Sequence, residues 1–406
     1  NLGFQDQARA FASDLERNYP EYLPAKLMQL QLTLAGGKAS DYTAAIPLAT
    51  DLLSRAERTA PDRDTPPQVL GELREKALLV RGTAQLQLKN VPAARQDYEA
   101  AKSIAPQDPV VYNSLALVAF AENKPQDAVS SFEAALNIDA TNFDALNGIL
   151  MLYARNKELD KAQARIDQAL SAYPNMASLH YLKAQVFGYQ QNVQMMEAEL
   201  NKSLQLDQNY LPAYSSLAML YMQSNQQDRA ISQYQKFISV RPENATPYVM
   251  IGMLEDQRKN YEVAADNYRK ALEKDPNSMI AANNLAWLYA TTGMGNIDEA
   301  VRLAQGVVQK NPNMSGFVDT LGWVYYKKGL YPAAVEQLSN AVRLNELEAR
   351  AANGAPSATY NYHLGMALKG KGDKEAARQA LQKAIRLAEK VRFDDLEEAK
   401  KALAEL

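Results

Sequence analysis

The sequence predicts an all-α solenoid: about ten helix pairs stacked in file, closed by a short C-terminal helix. Three observations predict it. Small residues recur at a constant 34-residue interval along most of the chain. Between them, apolar residues fall three and four apart, giving each helix one apolar stripe. Proline, glycine and asparagine fall where such helices must stop or turn. A length of 406 residues is too great for a single core. A solenoid escapes that limit, because each repeat packs only on its neighbours.

The period is clearest from Met279 to Asn345. There Leu285-Ala286-Trp287 aligns with Leu321-Gly322-Trp323, Tyr289 with Tyr325, and Ala300 with Ala334. Each line is an amphipathic helix, a short turn and a second amphipathic helix. Let position 8 be the small residue in the middle of the first helix. Repeats then begin at Glu75, Pro109, Phe143, Ala177, Leu211, Ala245 and Met279 without slippage, and later at Ser315 and Ala358. Position 8 is glycine or alanine in all but one repeat, from Gly82 and Ala116 to Gly322 and Gly365. Position 20 runs from Ala94 and Ala128 to Ala334 and Ala377, and position 27 is usually alanine too (Ala101, Ala135, Ala271). Small side chains mark places where helix axes approach; overpacking such a place costs about 1–3 kcal/mol. Leu150, Met196, Ser203 and Phe237 depart from the rule. They predict local widening, with Phe237 filling a gap left by its neighbours.

Helix ends are marked by Pro106, Pro174, Pro242, Pro276 and Pro312 at position 32. Gly329 and Asn260 sit in turns between paired helices, where a left-handed residue is expected. At the N-terminus, Ala8, Leu15 and Pro20 fit the second helix of a truncated repeat. A further pair runs from Leu23 to about Ala60, with an insertion at Gly36-Gly37. Pro61 to Pro67 then breaks the pattern before a helix at Val69. A second irregular stretch, Glu346 to Ser357, begins with residues Leu347 to Ala352 that continue the preceding helix. Phe393, Leu396, Ala399, Ala402 and Leu403 share one face of a closing helix. Three regions follow: 1–64, an N-terminal half repeat and irregular pair; 65–391, the tandem array; 392–406, the capping helix. Because the chain starts at Asn1 and inside a repeat, it reads as a trimmed or processed product.

Composition removes several function classes. Acidic residues number 47 and basic 44, for a net charge of −3. That balance leaves no basic footprint for nucleic acid or anionic lipid. With no cysteine there is neither disulfide nor thiolate chemistry. The two histidines, His180 and His363, lie in different repeats and are expected to be structural or surface residues. Gly293-Met294-Gly295 has no preceding strand and no following Lys-Ser/Thr, so it is an insertion rather than a phosphate loop. No apolar run reaches the length of a membrane span. No catalytic constellation, cofactor motif or metal-ligand spacing is present, and an enzyme is not expected.

The 34-residue helix pair with small residues at positions 8 and 20 resembles the tetratricopeptide repeat. The resemblance covers nearly the whole chain. It implies a right-handed superhelix whose first helices line a concave groove, with positions 2, 5, 9, 12 and 13 facing it. Position 9 reads Leu117, Met151, Gln185, Met219, Met253, Trp287, Trp323 and Met366. So apolar a row implies a Met/Trp track down the groove, or packing between consecutive first helices. Methionine suits a surface that accepts varied apolar shapes, and tryptophan is a frequent interface anchor. The expected partner-binding residues are Met219, Met253, Asn283, Asn284, Trp287, Asp319, Trp323, Tyr326, Lys327, Tyr362 and Met366. Asn113 and Asn147 add further amides at position 5. Position 5 is never Lys in the well-phased repeats and position 9 never Asn, so the clamp with which some family members hold chaperone tails is absent. The resemblance thus implies a scaffold that clasps a protein or peptide segment. The alternatives are carbohydrate binding through Trp287 and Trp323, and self-assembly. The Asn-Leu-Ala-Trp and Asp-Thr-Leu-Gly-Trp phrasing resembles tetratricopeptide proteins of the bacterial envelope, which implies the periplasm and polysaccharide export or secretion.

Overall fold

The computed structural model describes residues 2–63 and 65–406. Asn1 and Asp64, at the edges of the first expected region, lie outside the described residues. Secondary structure among the described residues is entirely helical. The chain divides into two compact units, one ending at Gln226 and one beginning at Gln227. The first unit holds α1 (Leu2–Asn18), α2 (Leu23–Leu34), α3 (Ala39–Arg58), α4 (Pro67–Gln87), α5 (Val91–Ile104) and α6 (Pro109–Ala121). It continues with α7 (Pro125–Ile138), α8 (Phe143–Arg155), α9 (Leu159–Ala172), α10 (Ala177–Tyr189), α11 (Val193–Leu206) and α12 (Leu211–Gln223). The second holds α13 (Gln227–Val240), α14 (Ala245–Gln257), α15 (Tyr261–Lys274), α16 (Met279–Thr292) and α17 (Ile297–Lys310). It ends with α18 (Ser315–Lys327), α19 (Tyr331–Ala351), α20 (Ala358–Lys371), α21 (Lys374–Leu387) and α22 (Leu396–Ala404). Helices pack in consecutive pairs, α4 on α5, α6 on α7, α14 on α15 and α18 on α19 among them. The fold is the all-α solenoid that the period predicts.

From Pro109 onward, every first helix starts at its expected repeat start. The exception is α4, which begins at Pro67, about two turns before Glu75. Pro67 suits the first helical position, where its missing N–H is not needed, and the added turns bury Leu70 and Leu73. The pair α2/α3 is joined to the array through α3 on α4. Residues Leu347 to Ala351 do continue α19.

The small residues at position 8 sit directly beneath the side chain at position 24. A Cβ on Gly82 would lie 2.6 Å from the Tyr98 ring, one on Gly252 2.6 Å from the Tyr268 ring, and one on Gly322 2.5 Å from Leu338. The departures are compensated locally. Leu150 is fully buried at position 8, and the nearby Gly148 takes the Phe132 ring of the preceding repeat instead. Met196 packs over Gly188, one turn beyond position 8. Ser203 donates to the Ala177 carbonyl at 2.8 Å, which satisfies its buried hydroxyl. Phe237 is buried.

The turn between paired helices repeats one conformation in most pairs, the longer α16–α17 connection apart. Its left-handed residue is at position 15: Lys89, Asn123, Lys157, Gln191, Asn225, Lys259, Gly293, Gly329 and Gly372 all have positive φ. The expectation for Gly329 holds. For Asn260 it is off by one residue: Lys259 has φ +62° and Asn260 has φ −84°. The next N–H then reaches back to close the first helix, Asn90 to Gln85 and Asn260 to Glu255, both at 2.8 Å. Position 4 locks the preceding turn. The Tyr112 hydroxyl donates to the Pro106 carbonyl (3.0 Å) and Tyr248 to Pro242 (3.3 Å). His180 makes the same contact with Pro174 through Nε2 (2.9 Å) and meets Glu199 through Nδ1 (2.7 Å).

Candidate functional site

In the first unit, position 9 projects into solvent on α6, α8 and α12, while Thr83 on α4 and Gln185 on α10 are half-buried. Leu117 on α6 is 52% exposed, Met151 on α8 58% and Met219 on α12 64%. Phe120 and Tyr189, at positions 12 and 13, are also exposed. These are large apolar groups that no contact within the unit requires. The expected amide row is partly diverted to structure. Asn113 is buried and donates to the Asn142 side chain (2.9 Å), which itself caps α8 through the Ala145 N–H (2.9 Å). Asn147 reaches only toward Met151, with Nδ2 3.9 Å from Sδ.

The row leads into a cleft of about 500 Å³ bounded by α10, the turn after it, and α12. Met196, Gly188 and Leu220 lie toward its floor and Met219, Tyr189 and Val193 at its mouth. The widening expected at Met196 is not seen in its own helix pair: α10 and α11 pack as closely as the regular pairs α6/α7 and α14/α15, because Gly188 leaves room for the methionine. Of the consecutive first helices here, α8 and α10 pack on each other, whereas α10 and α12, like α6 and α8, barely meet.

In the second unit the same positions are turned into packing. Trp323 is only 7% exposed. Its ring stacks on His363 (centroids 4.2 Å) and Tyr326 (4.8 Å), with Trp287 at 6.3 Å. His363 is buried, and its Nδ1 lies 2.9 Å from both carboxylate oxygens of buried Asp319. This pair ties α20 to α18, so the two first helices close on the tryptophan between them. Tyr362 is buried against Phe393, ring to ring at 5.7 Å. Burial, then the Asp395 charge, push the Tyr362 phenol up to about 12. Trp287 and Met366 are half-buried against the same cluster, and Met253 is half-buried against the core around α15 and α16. Lys327 is exposed, with its ammonium over the Trp323 ring at 5.1 Å.

The expected groove residues therefore separate. Met219 presents a free apolar group. Asn283 donates to Asn284 (3.2 Å), and Asn284 donates to the Tyr268 hydroxyl of the preceding repeat (3.4 Å), so this amide pair bridges repeats. Asp319, Trp323 and Tyr362 are core. The expectation for Trp323 is corrected: with its faces stacked by His363 and Tyr326, it has no platform left for a peptide side chain or a sugar ring, whereas Trp287 is half-buried. Gly188, Tyr189 and Val193 were not singled out from the sequence. The signal for them was the pairing of glycine at position 12 with methionine at position 20. Among the described residues, no group of histidines and carboxylates is placed to hold a metal, and no helix is long and apolar enough to cross a membrane.

Tetratricopeptide repeat models match residues 35–109, 119–186, 216–278, 249–315 and 358–391, more than half of the chain. Among curated proteins, the mitochondrial import receptor subunit TOM70 of Homo sapiens is 24% identical over 250 residues, covering 59% of this chain and 40% of that protein. Anaphase-promoting complex subunit 3 of Schizosaccharomyces pombe is 22% identical over 129 residues, 32% of this chain and 19% of that one. The chain spans less than half the length of these curated relatives. Among solved structures, the APC/C hetero-tetramer Cut9-Hcn1 aligns with 99% of this chain and 93% of that chain, at a TM-score of 0.47 and 14% identity. YrrB, described as a TPR protein with an unusual peptide-binding site, aligns with 45% of this chain and 92% of that chain, at a TM-score of 0.37 and 20% identity.

Proposed function

We propose, from the premise that the chain belongs to the tetratricopeptide repeat family, that it is a non-enzymatic scaffold holding a protein segment against its α6–α8–α12 surface. The observation that carries this reading is the exposed row Leu117, Met151 and Met219. A side chain of that size contributes about 1.5–3 kcal/mol when it is fully buried. In the second unit the equivalent positions are buried or half-buried; in the first, three of them are left open, with half-buried Gln185 between Met151 and Met219. An import receptor and a subunit of a multiprotein complex are among its relatives, and both names fit a chain that works by holding other proteins. In the second unit, Trp323 is taken up by packing against His363 and Tyr326 and adds no contact surface.

The test is a triple variant, Leu117→Lys, Met151→Lys and Met219→Lys, compared with wild type for the proteins each captures from its native cell extract. All three positions are exposed, so the melting temperature should hold while capture is lost. An unchanged set of captured proteins would remove the reading. We further propose a place in a bacterial envelope assembly that serves secretion or polysaccharide export. Its support is the phrasing around Trp287 and Trp323 alone, and fractionation of the native cells tests it: recovery with the cytoplasmic fraction would exclude it.

A further inference from the structure

We infer that the cleft between α10 and α12 receives one large apolar side chain of an extended, uncharged peptide segment, with the amides of Gln185, Gln191 and Gln223 holding that segment's backbone. The inference rests on the reading of the first-helix surface as the partner's seat, and adds where the anchor enters and what chemistry it has. Three observations support it.

The first is charge. No Asp, Glu, Lys or Arg lines the cleft. Two other clefts of the same unit are lined by charge: Glu57, Arg74, Arg81 and Asp97 in one, Arg95, Glu99, Lys102 and Asp127 in the other. A charged side chain entering the α10–α12 cleft would lose hydration and find no counter-charge. The second is the kind of wall. Met196, Met219, Leu220 and Val193 give an apolar surface, and two of these are methionines, which adapt to differently shaped side chains. The volume of about 500 Å³ falls in the range of ligand sites of this mixed type. The third is the rim. The side-chain amides of Gln185, Gln191 and Gln223 each carry a donor and an acceptor, and none of the three has a hydrogen-bond partner among the described residues. A helical ligand satisfies its own backbone and has no use for such amides. An extended segment has unpaired N–H and C=O groups that need them.

The experiment pans a phage-displayed library of random dodecapeptides on the full chain, then titrates the enriched peptides, fluorescently labelled, against variants. The expected outcome is a set of uncharged peptides with one Met, Leu, Phe or Trp. Their affinity should change little between about 0.05 and about 0.5 M salt, where a charge-driven contact would weaken. Met219→Lys and Gln223→Lys should each weaken binding by about tenfold or more, and Met151→Lys should not. Peptides rich in acidic or basic residues would overturn the inference. Peptides that lose affinity with Met151→Lys but keep it with Met219→Lys would overturn the cleft and leave the scaffold reading standing. Absence of any enriched peptide would count against both.

Discussion

Gly252 differs from alanine by one carbon, and that carbon would sit 2.6 Å from a Tyr268 ring that is itself fully buried. The ring cannot retreat, so the helices must. Gly252→Ala should therefore lower the stability of the second unit by about 1–3 kcal/mol in a denaturant titration. An unchanged midpoint would mean that the α14/α15 contact is looser than its geometry. Glu75 tests electrostatics at the same scale. It is buried at the start of its repeat, and burial first, then a hydrogen bond and the charge of Asp108, push its carboxyl up to about 7 from an ordinary 4.5. The folded state thus holds the proton more tightly than the unfolded chain. Its contribution is fully present below about pH 4.5 and is lost as pH rises through about 7. Glu75→Gln mimics the protonated form. It should match wild type near pH 4.5 and exceed it by about 1–3 kcal/mol near pH 8, read from thermal melts across that range. A gap that does not grow with pH would refute the assignment. Residue by residue, the repeat phase was legible because close helix approach forbids large side chains at fixed places. The left-handed turn residue was not, because Lys89, Lys157, Gln191 and Lys259 occupy it without the glycine that usually advertises such a backbone.

The elements differ in what they do with the same position. On α6, α8 and α12 the position-9 side chain is left in solvent; on α18 it is the centre of a stack. Spacing within one helix cannot distinguish these outcomes. The difference arises from a contact distant in sequence, Asp319 on α18 with His363 on α20, which draws two first helices together over Trp323. Likewise, the cleft between α10 and α12 is completed by Val193 and Met196 from α11, a third helix. Trp323→Ala should accordingly act as a core truncation and lower the stability of the second unit by about 3–5 kcal/mol. Helical circular dichroism of the variant, followed through urea, checks this. Retention of the wild-type midpoint would restore Trp323 as a contact residue and refute its burial as the explanation.

At the scale of the whole molecule, the fold class, the repeat starts and the pairing of helices were all present in the period. A solenoid is built from contacts within a repeat and between neighbours, and sequence spacing reports such contacts directly. The candidate site was less legible, since exposure depends on how closely neighbouring first helices approach. Of the expected groove residues, Met219 is the one that remains openly apolar, and it joins Leu117 and Met151, which the sequence placed on the same track. The central claim is that this surface, and not the outer face of the second helices, meets the partner. The most direct measurement installs a photo-crosslinking amino acid at Leu117, Met151 and Met219 in turn, with exposed Gln168 on α9 as the outer comparison, and irradiates the chain in its native cells. One shared partner adduct is expected from the three first-helix sites and none from Gln168. An adduct from Gln168 with none from Leu117, Met151 or Met219 would contradict it.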